Sequence, residues 1–253
     1  MILDLFSLKG KVAVVTGANT GLGQGICVAY AEAGASVIGV ARRSCAETAE
    51  KIAAFGGAFT ECIVDLSGAD AIDKIIEGIE NSYGHVDILV NNAGIIKRAD
   101  AVDVTEEAWD SVINLNERLV FFLSQTIAKK YLLPQKSGKI INIASMLSYQ
   151  GGIRVPAYTA SKSAVMGMTK ALANEWASYG VAVNAIAPGY MATNNTEQLR
   201  NDAARNEAVL DRIPAGRWGT PEDLYGAAVY LASAASDYVN GFTLAVDGGW
   251  LAR

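Results

Sequence analysis

Short apolar runs that end in glycine, asparagine or serine, separated by longer segments of helical period, constrain this chain more than any other feature. "KVAVVTG" (Lys11 to Gly17), "SVIGVA" (Ser36 to Ala41), "VDILVNNAG" (Val86 to Gly94), "GKIINIAS" (Gly138 to Ser145) and "GVAVNAIAPG" (Gly180 to Gly189) are such runs, and "FTLAVDGG" follows towards the C-terminal end. Runs this short read as strands buried on both faces. Between them, Gly23 to Ala33, Ala69 to Tyr83, Trp109 to Tyr131 and Tyr158 to Tyr179 place apolar residues at helical spacing. Strand alternating with helix predicts a parallel sheet covered by helices on both faces. No linker rich in Pro, Gly or Ser divides the 253 residues, and 51% are hydrophobic, enough for one large core. The expected architecture is α/β, a single doubly wound Rossmann-like domain over residues 1–253. Residues from about 190 to 215 break the alternation with a long polar stretch. An insertion after a strand, on the side where such sheets bind ligands, is a candidate substrate lid.

Composition removes several function classes. Net charge is −5, and Lys and Arg form no stripe, so no nucleic-acid partner is expected. The one histidine, His85 in "SYGHVD", precedes an apolar run, where a surface turn is expected, so no Ser-His-Asp triad is expected around it. Cys27, Cys45 and Cys62 have neither disulfide nor zinc spacing, and no metal site is expected. Neither a signal-like N-terminus nor a run of about 18 apolar residues is present. The expectation is a cytoplasmic protein without a membrane partner.

"VVTGANTGLGQG" follows the first strand and opens the first helix. Gly17, Gly21 and Gly23 allow a tight turn and close backbone approach, and the helix N-terminus offers N–H groups to a pyrophosphate. A glycine turn alone is weak evidence, but strand–turn–helix is the context a dinucleotide needs. At the end of the second strand an acidic residue would hold the ribose 2′-hydroxyl of NAD. Here the strand ends "GVARR", with Ala41 in that place and Arg42 and Arg43 after it. Arg42 favours a 2′-phosphate, hence NADP. Thr20, where a second basic contact would stand, argues against it. Asp65 in "CIVDLS" and "NNAG" (Asn91 to Gly94) end further strands on the same edge and could line the adenosine.

Tyr158 and Lys162 in "YTASK" are i and i+4 on one helix face. A phenol of pKa about 10 is a poor base at neutral pH. A neighbouring ammonium is expected to lower it. Ser145, at the end of a strand, can hold a substrate oxygen in the same space. Proton transfer to or from an alcohol, coupled to hydride transfer, is the chemistry that wants this set. A Tyr/Lys pair on a wet helix face is the plain alternative, and the glycine turn weighs against it.

Taken in order, "TGANTGLG", "NNAG", Ser145, "YTASK", Pro188–Gly189 and "VDGG" resemble the classical short-chain dehydrogenase/reductase family over essentially the whole chain. The resemblance implies Tyr158 as acid/base, Lys162 beside it and on the nicotinamide ribose, Ser145 on the carbonyl, and Asn116 completing a proton relay. It implies a cofactor site of Gly17, Asn19, Thr20, Gly21, Leu22, Gly23, Arg42, Asp65, Leu66, Asn91, Ala93, Gly94, Tyr158, Lys162, Pro188, Gly189 and Thr193, with Thr193 on the carboxamide. It also implies a homotetramer. A closer resemblance, in "INIASMLSYQGGIRVPAYTASKS", "APGYMATNNTEQLR" and "SDYVNGFTLAVDGGWLAR", is to sugar-acid dehydrogenases of that family, which implies a sugar-acid substrate and NAD. NADP stays the alternative because of Arg42.

A substrate carboxylate needs donors. Arg154 is a candidate, with Arg200, Arg205, Arg212 and Arg217 competing; Asn194, Asn195, Thr196 and Gln198 could meet hydroxyls, and Trp218 is expected to pack the lid base. Rival readings are another reductase of the family, acting on a different sugar acid or a carrier-protein-linked ketone, and a catalytically silent nucleotide-binding protein.

Overall fold

The computed structural model describes residues 1–253. Seven strands, β1 (Val12–Thr16), β2 (Ser36–Ala41), β3 (Ala58–Ile63), β4 (Ile88–Asn91), β5 (Gly138–Ile143), β6 (Val181–Pro188) and β7 (Thr243–Val246), form one parallel sheet in the order β3-β2-β1-β4-β5-β6-β7. The helices are α1 (Gly21–Glu32), α2 (Ala46–Ala53), α3 (Ala71–Ser82), α4 (Glu106–Ile113), α5 (Leu119–Ile127), α6 (Leu133–Gln135), α7 (Pro156–Trp176), α8 (Glu197–Asn201), α9 (Ala203–Leu210) and α10 (Tyr225–Ala232). This is the single Rossmann-like α/β domain expected. Chain order reverses between β1 and β4, which opens a crevice at the carboxyl ends of those strands.

Strand alternation divides the core in two. Ala13 and Val15 of β1 join Ile26 and Tyr30 of α1 and Leu224, Ala228 and Leu231 around α10 on one face. Val12 and Val14 turn to the other face, with Ile75 and Ile79 of α3, Leu123 and Ile127 of α5 and Leu172 of α7. Each fully buried aliphatic side chain contributes about 1.5–3 kcal/mol, so a strand covered on both sides gains at every residue. β1 and β6 are buried throughout. β3 is an edge strand with no buried residue, which is why it does not stand out as an apolar run.

Helix ends follow local chemistry. Thr105 caps α4 through its side chain, which accepts from the N–H of Ala108 at 3.1 Å. Pro156 occupies the first turn of α7. Gly180, at φ +75°, closes the turn after α7; a Cβ there would lie 2.3 Å from the carbonyl oxygen of Lys136. The single helix expected over 109–131 is broken by two π turns, Asn114–Arg118 and Ala128–Leu132. Residues after β6 carry α8 and α9 and are mostly exposed; Val209 and Ile213 anchor them on Met146 and Trp250. No helix is long and apolar enough to cross a membrane.

Candidate active site

A cavity of about 810 Å³ lies along the carboxyl edge of the sheet. Its first wall is the glycine turn. Gly17 and Gly21 have φ of +69° and +57°, where a Cβ is strained. A Cβ on Gly23 would stand 2.1 Å from the Gly17 carbonyl oxygen and 2.4 Å from Asn92 Nδ2. Behind the turn, Thr48 Oγ1 donates to the Ala18 carbonyl at 2.8 Å and Gln24 Nε2 donates to the Asn19 carbonyl at 3.4 Å. Thr20, the N-cap of α1, makes no side-chain cap bond, so the first-turn N–H groups stay open to an anion. A cradle closed to any side chain beside an uncapped helix start fits a pyrophosphate.

Thr16 joins β1 to β4. Its Oγ1 accepts from the N–H groups of Asn92 and Ala93, both at 3.0 Å, and Asn92 Nδ2 donates to the Thr16 carbonyl at 2.8 Å. Asp65 accepts from the Ser67 N–H at 3.0 Å and the Ser67 hydroxyl at 2.7 Å, which hold its carboxyl below the usual range; Arg42 adds to that. Arg42 is exposed on the cavity wall, and Arg43 is not part of it.

Of the predicted cofactor residues, Gly17, Asn19, Thr20, Gly21, Leu22, Gly23, Arg42, Asp65, Leu66, Ala93, Gly94, Tyr158, Lys162 and Thr193 line this cavity. Three do not. Asn91 faces inward; its Nδ2 donates to Ser124 Oγ at 2.9 Å and Asn142 Oδ1 at 2.8 Å, so its side chain is bound to the core and Asn92 lines the wall instead. Pro188 is buried at the end of β6, and Gly189 lines a separate cavity of about 160 Å³. A Cβ on Gly189 would lie 2.6 Å from Asp247 Cα, so packing against the segment after β7 explains this glycine.

The groups expected to handle the proton converge. Lys162 is 4% exposed; its Nζ donates to the Ile143 carbonyl at 2.5 Å and lies 5.7 Å from the centre of the Tyr158 ring. Burial pushes its ammonium down to about 8, so it remains mainly charged at neutral pH. Burial also raises the Tyr158 phenol, opposed by a hydrogen bond with Ser145 and by the charge of Arg98. The phenol is thus raised, where a net lowering was expected, because loss of water around it outweighs the Ser145 bond and the Arg98 charge. Ser145 and Asn116 sit behind the wall. Ser145 Oγ accepts from the Leu147 N–H at 3.1 Å. Asn116, fully buried in the first π turn, accepts from the Ile95 N–H and donates to the Ile95 carbonyl, both at 2.9 Å. A Cβ on Gly94 would meet Asn116 Oδ1 at 3.1 Å and Lys162 Nζ at 3.8 Å, so the bare glycine lets both groups approach the cavity. Asn114 lines the wall itself.

The arginines sort differently from expectation. Arg154, at φ +63°, pairs with exposed Asp100 at 2.9 Å. Arg200 donates to the Thr193 carbonyl at 3.2 Å, Arg212 stacks 4.0 Å over the Trp250 ring, Arg217 pairs with Asp223 at 2.7 Å, and Arg205 is exposed. None of these five lines the main cavity, whereas Arg42, Arg98 and Arg118 do. Arg98 was missed from sequence. It is the arginine whose charge reaches Tyr158, and its Nη2 donates to the Asn195 carbonyl at 3.3 Å. Its signal was its place, four residues beyond Gly94 in "GIIKR", in a loop at the carboxyl edge. Asn194, Asn195 and Thr196 line the cavity and Gln198 does not. Trp218 packs edge-on against Tyr190 at 5.5 Å and donates to Asn206 at 2.7 Å.

Known proteins resemble the chain throughout. The family described as enoyl-(acyl carrier protein) reductase matches residues 17–251. The 2-dehydro-3-deoxy-D-gluconate 5-dehydrogenase of Dickeya dadantii is 60% identical over 253 residues, covering 100% of both chains. A solved structure from Agrobacterium tumefaciens with bound NADP is 57% identical with a TM-score of 0.92, covering 98% of this chain and 99% of that one. A gluconate 5-dehydrogenase from Burkholderia cenocepacia, in complex with NADP and tartrate, is 38% identical with a TM-score of 0.94 over 100% of both chains.

Proposed function

This chain belongs to the classical short-chain dehydrogenase/reductase family, and from that premise we propose that it reduces a 2,5-diketo-3-deoxygluconate to 2-dehydro-3-deoxy-D-gluconate, a step of pectin and hexuronate breakdown. It is an NAD(P)-dependent oxidoreductase acting on a CH–OH group of keto and hydroxy sugar acids. The observation that carries the specific reading is a guanidinium and a phenol in one cavity: Arg98 beside Tyr158 gives a carboxylate-bearing ketone both an anion partner and a proton donor.

When bound, a reduced nicotinamide would supply the hydride that the proposed reaction needs at carbon 5. The residues that would hold that cofactor are the glycine turn Gly17–Gly23, Asp65, Ala93, Gly94, Lys162 and Thr193. Ser145 donates its O–H to the ketone oxygen. Tyr158, kept protonated by burial, gives its proton to the forming alkoxide. Lys162 stays cationic at neutral pH and favours the phenolate left behind. Asn116, bonded to both polar atoms of Ile95, anchors the route by which the proton is replaced. Arg98 holds the carboxylate, with Asn194, Asn195 and Thr196 facing hydroxyls. The segment 190–215 covers the sugar, since Thr193 comes within 3.5 Å of where a Cβ on Gly21 would stand and Asn194, Asn195 and Thr196 line the wall. The enzyme works as a homotetramer in the cytoplasm.

Arg42, exposed where the second strand carries no carboxylate, supports NADPH beside NADH as reductant. The test is nicotinamide absorbance during turnover of the diketo acid with NADH and separately with NADPH, with 5-ketogluconate and a β-ketoacyl thioester as rivals. Fastest turnover of the diketo acid supports the proposal. Preference for either rival replaces the substrate, and cofactor binding without any turnover replaces the activity.

A further inference from the structure

A second buried hydroxyl lies beside Ser145, in the segment joining β5 to α7. Ser148 is 7% exposed. Its hydroxyl donates to the main-chain carbonyl of Lys162 at 2.6 Å and accepts from the main-chain N–H of Ser145 at 3.3 Å. One side chain therefore touches the backbone of two residues of the proton-handling set, although it lines neither cavity. Ser145 Oγ in turn accepts from the Leu147 N–H, which occupies one lone pair and leaves its own O–H free for Tyr158 or a substrate oxygen.

We propose that Ser148 is a positioning residue, a clamp that sets the distance between Ser145 on the β5 side and the Tyr158–Lys162 turn of α7. This rests on the reading of Ser145, Tyr158 and Lys162 as the site of proton transfer. The other polar ties between the two elements show why a clamp is needed. Asn142 Nδ2 bonds Thr169 Oγ1 at 3.0 Å, about two helical turns beyond Lys162. Ser163 Oγ reaches the Leu147 carbonyl only at 3.5 Å and is exposed. The remaining ties are a 3.4 Å bond from the Gly152 N–H to Thr159 Oγ1, the Tyr158–Ser145 hydrogen bond and Lys162 Nζ on the Ile143 carbonyl; the first is long, and the other two are made by groups the chemistry uses. Ser148 holds the Lys162 backbone, so the ammonium does not also have to fix the helix. Closing the turn with Ser145 accounts for the bond to the Ser145 N–H. It does not account for the bond to Lys162.

The test uses the full-length enzyme with Ser148→Ala, Ser148→Cys and Ser148→Thr. Ser148→Ala removes the donor, Ser148→Cys keeps near-equal volume with a weak donor, and Ser148→Thr restores the hydroxyl. We expect Ser148→Ala to lose about 10- to 100-fold in kcat, the cost of a misplaced reacting group, with KM and cofactor Kd changed less than about twofold. Ser148→Cys falls in between, and Ser148→Thr recovers activity. The charged and hydrogen-bonding neighbours of Tyr158 are Lys162, Arg98 and Ser145. An ultraviolet tyrosinate titration, with the Tyr158→Phe signal subtracted, reads their combined effect, and Ser148→Ala moves it upward as Ser145 drifts away. If Ser148→Ala only lowers Tm, leaving kcat and the titration unchanged, Ser148 is a turn cap and the proposal is overturned. If Ser148→Ala does not fold, Ser148→Cys decides by the same two readings. Wild-type turnover of the sugar acid tests the assigned reaction; the titration needs no turnover and tests the clamp alone.

Discussion

The two ends of the cavity are built by opposite means. At the glycine turn, main chain and the absence of side chains make the wall: Gly23 leaves no room for a Cβ, and Thr48 and Gln24 hold the loop from behind. At the other end, where the substrate is proposed to bind, the wall includes the side chains of Arg98, Asn194, Asn195 and Thr196, reaching from loops after β4 and β6, with Arg98 donating to the Asn195 main-chain carbonyl at 3.3 Å. Backbone walls suit a ligand whose shape is constant, such as a dinucleotide. Side-chain walls can be rewritten one residue at a time without moving the sheet. On the proposed function, the cofactor would lie against the backbone wall and substrate choice would rest with the side-chain wall.

Tyr158→Phe strikes where the two ends meet and carries the largest expected effect. Steady-state assays should show kcat lower by about 10²–10⁴-fold, the range for loss of a general acid, with cofactor affinity kept. Gly23→Ala attacks the backbone wall. Cofactor titration should show Kd weakened by about 100-fold, equally for NADH and NADPH, because the new Cβ displaces the Gly17 carbonyl. A soluble variant with normal affinity would show that this wall yields after all.

Arg98→Met attacks the side-chain wall. A lost charge-assisted bond of about 1.5–3 kcal/mol lowers kcat/KM for the carboxylate substrate by about 10- to 100-fold. A neutral ketone should lose much less, and equal losses would place Arg98 on Tyr158 rather than on the carboxylate. Lys162→Met separates stability from activity. The folded-state ammonium titrates near 8, below its ordinary 10.5. Its charge thus opposes folding below about pH 8, and that opposition fades as pH rises from 8 towards 10.5. Melting at pH 7 should show the variant more stable by about 1–2 kcal/mol, with activity lost and the advantage shrinking above pH 8. Arg42→Ala is the smallest change. The ratio of NADPH to NADH efficiency should fall about fivefold, the worth of one exposed cation beside a phosphate.

Much of this was legible in the chain. The parallel sheet covered by helices follows from apolar runs alternating with helical periods, and Tyr158 and Lys162 share a face because i and i+4 spacing allows little else; the strand order, with β3 at its edge, came from the structure. Three features were hidden for physical reasons. Asn91 and Asn92 are chemically identical, and only strand parity, set by the register of β4 on β5, turns the first into the core and the second to the cavity. Arg98 lies in irregular chain, where no periodicity reports direction. The raised Tyr158 depends on burial contributed by distant segments, which a local Tyr/Lys spacing does not contain.

The π turn at Asn114–Arg118 has a further consequence. Inserting one residue into a helix rotates everything beyond it by about 100°. Asn116 falls inside that turn, while Val120, Leu123 and Ile127 beyond it still face inward. The extra residue acts like a phase shifter between two gears, one meshed with the active site and one with the core. Removing it would throw one of them out of mesh, so the length of this helix carries more of its function than any one of its side chains does.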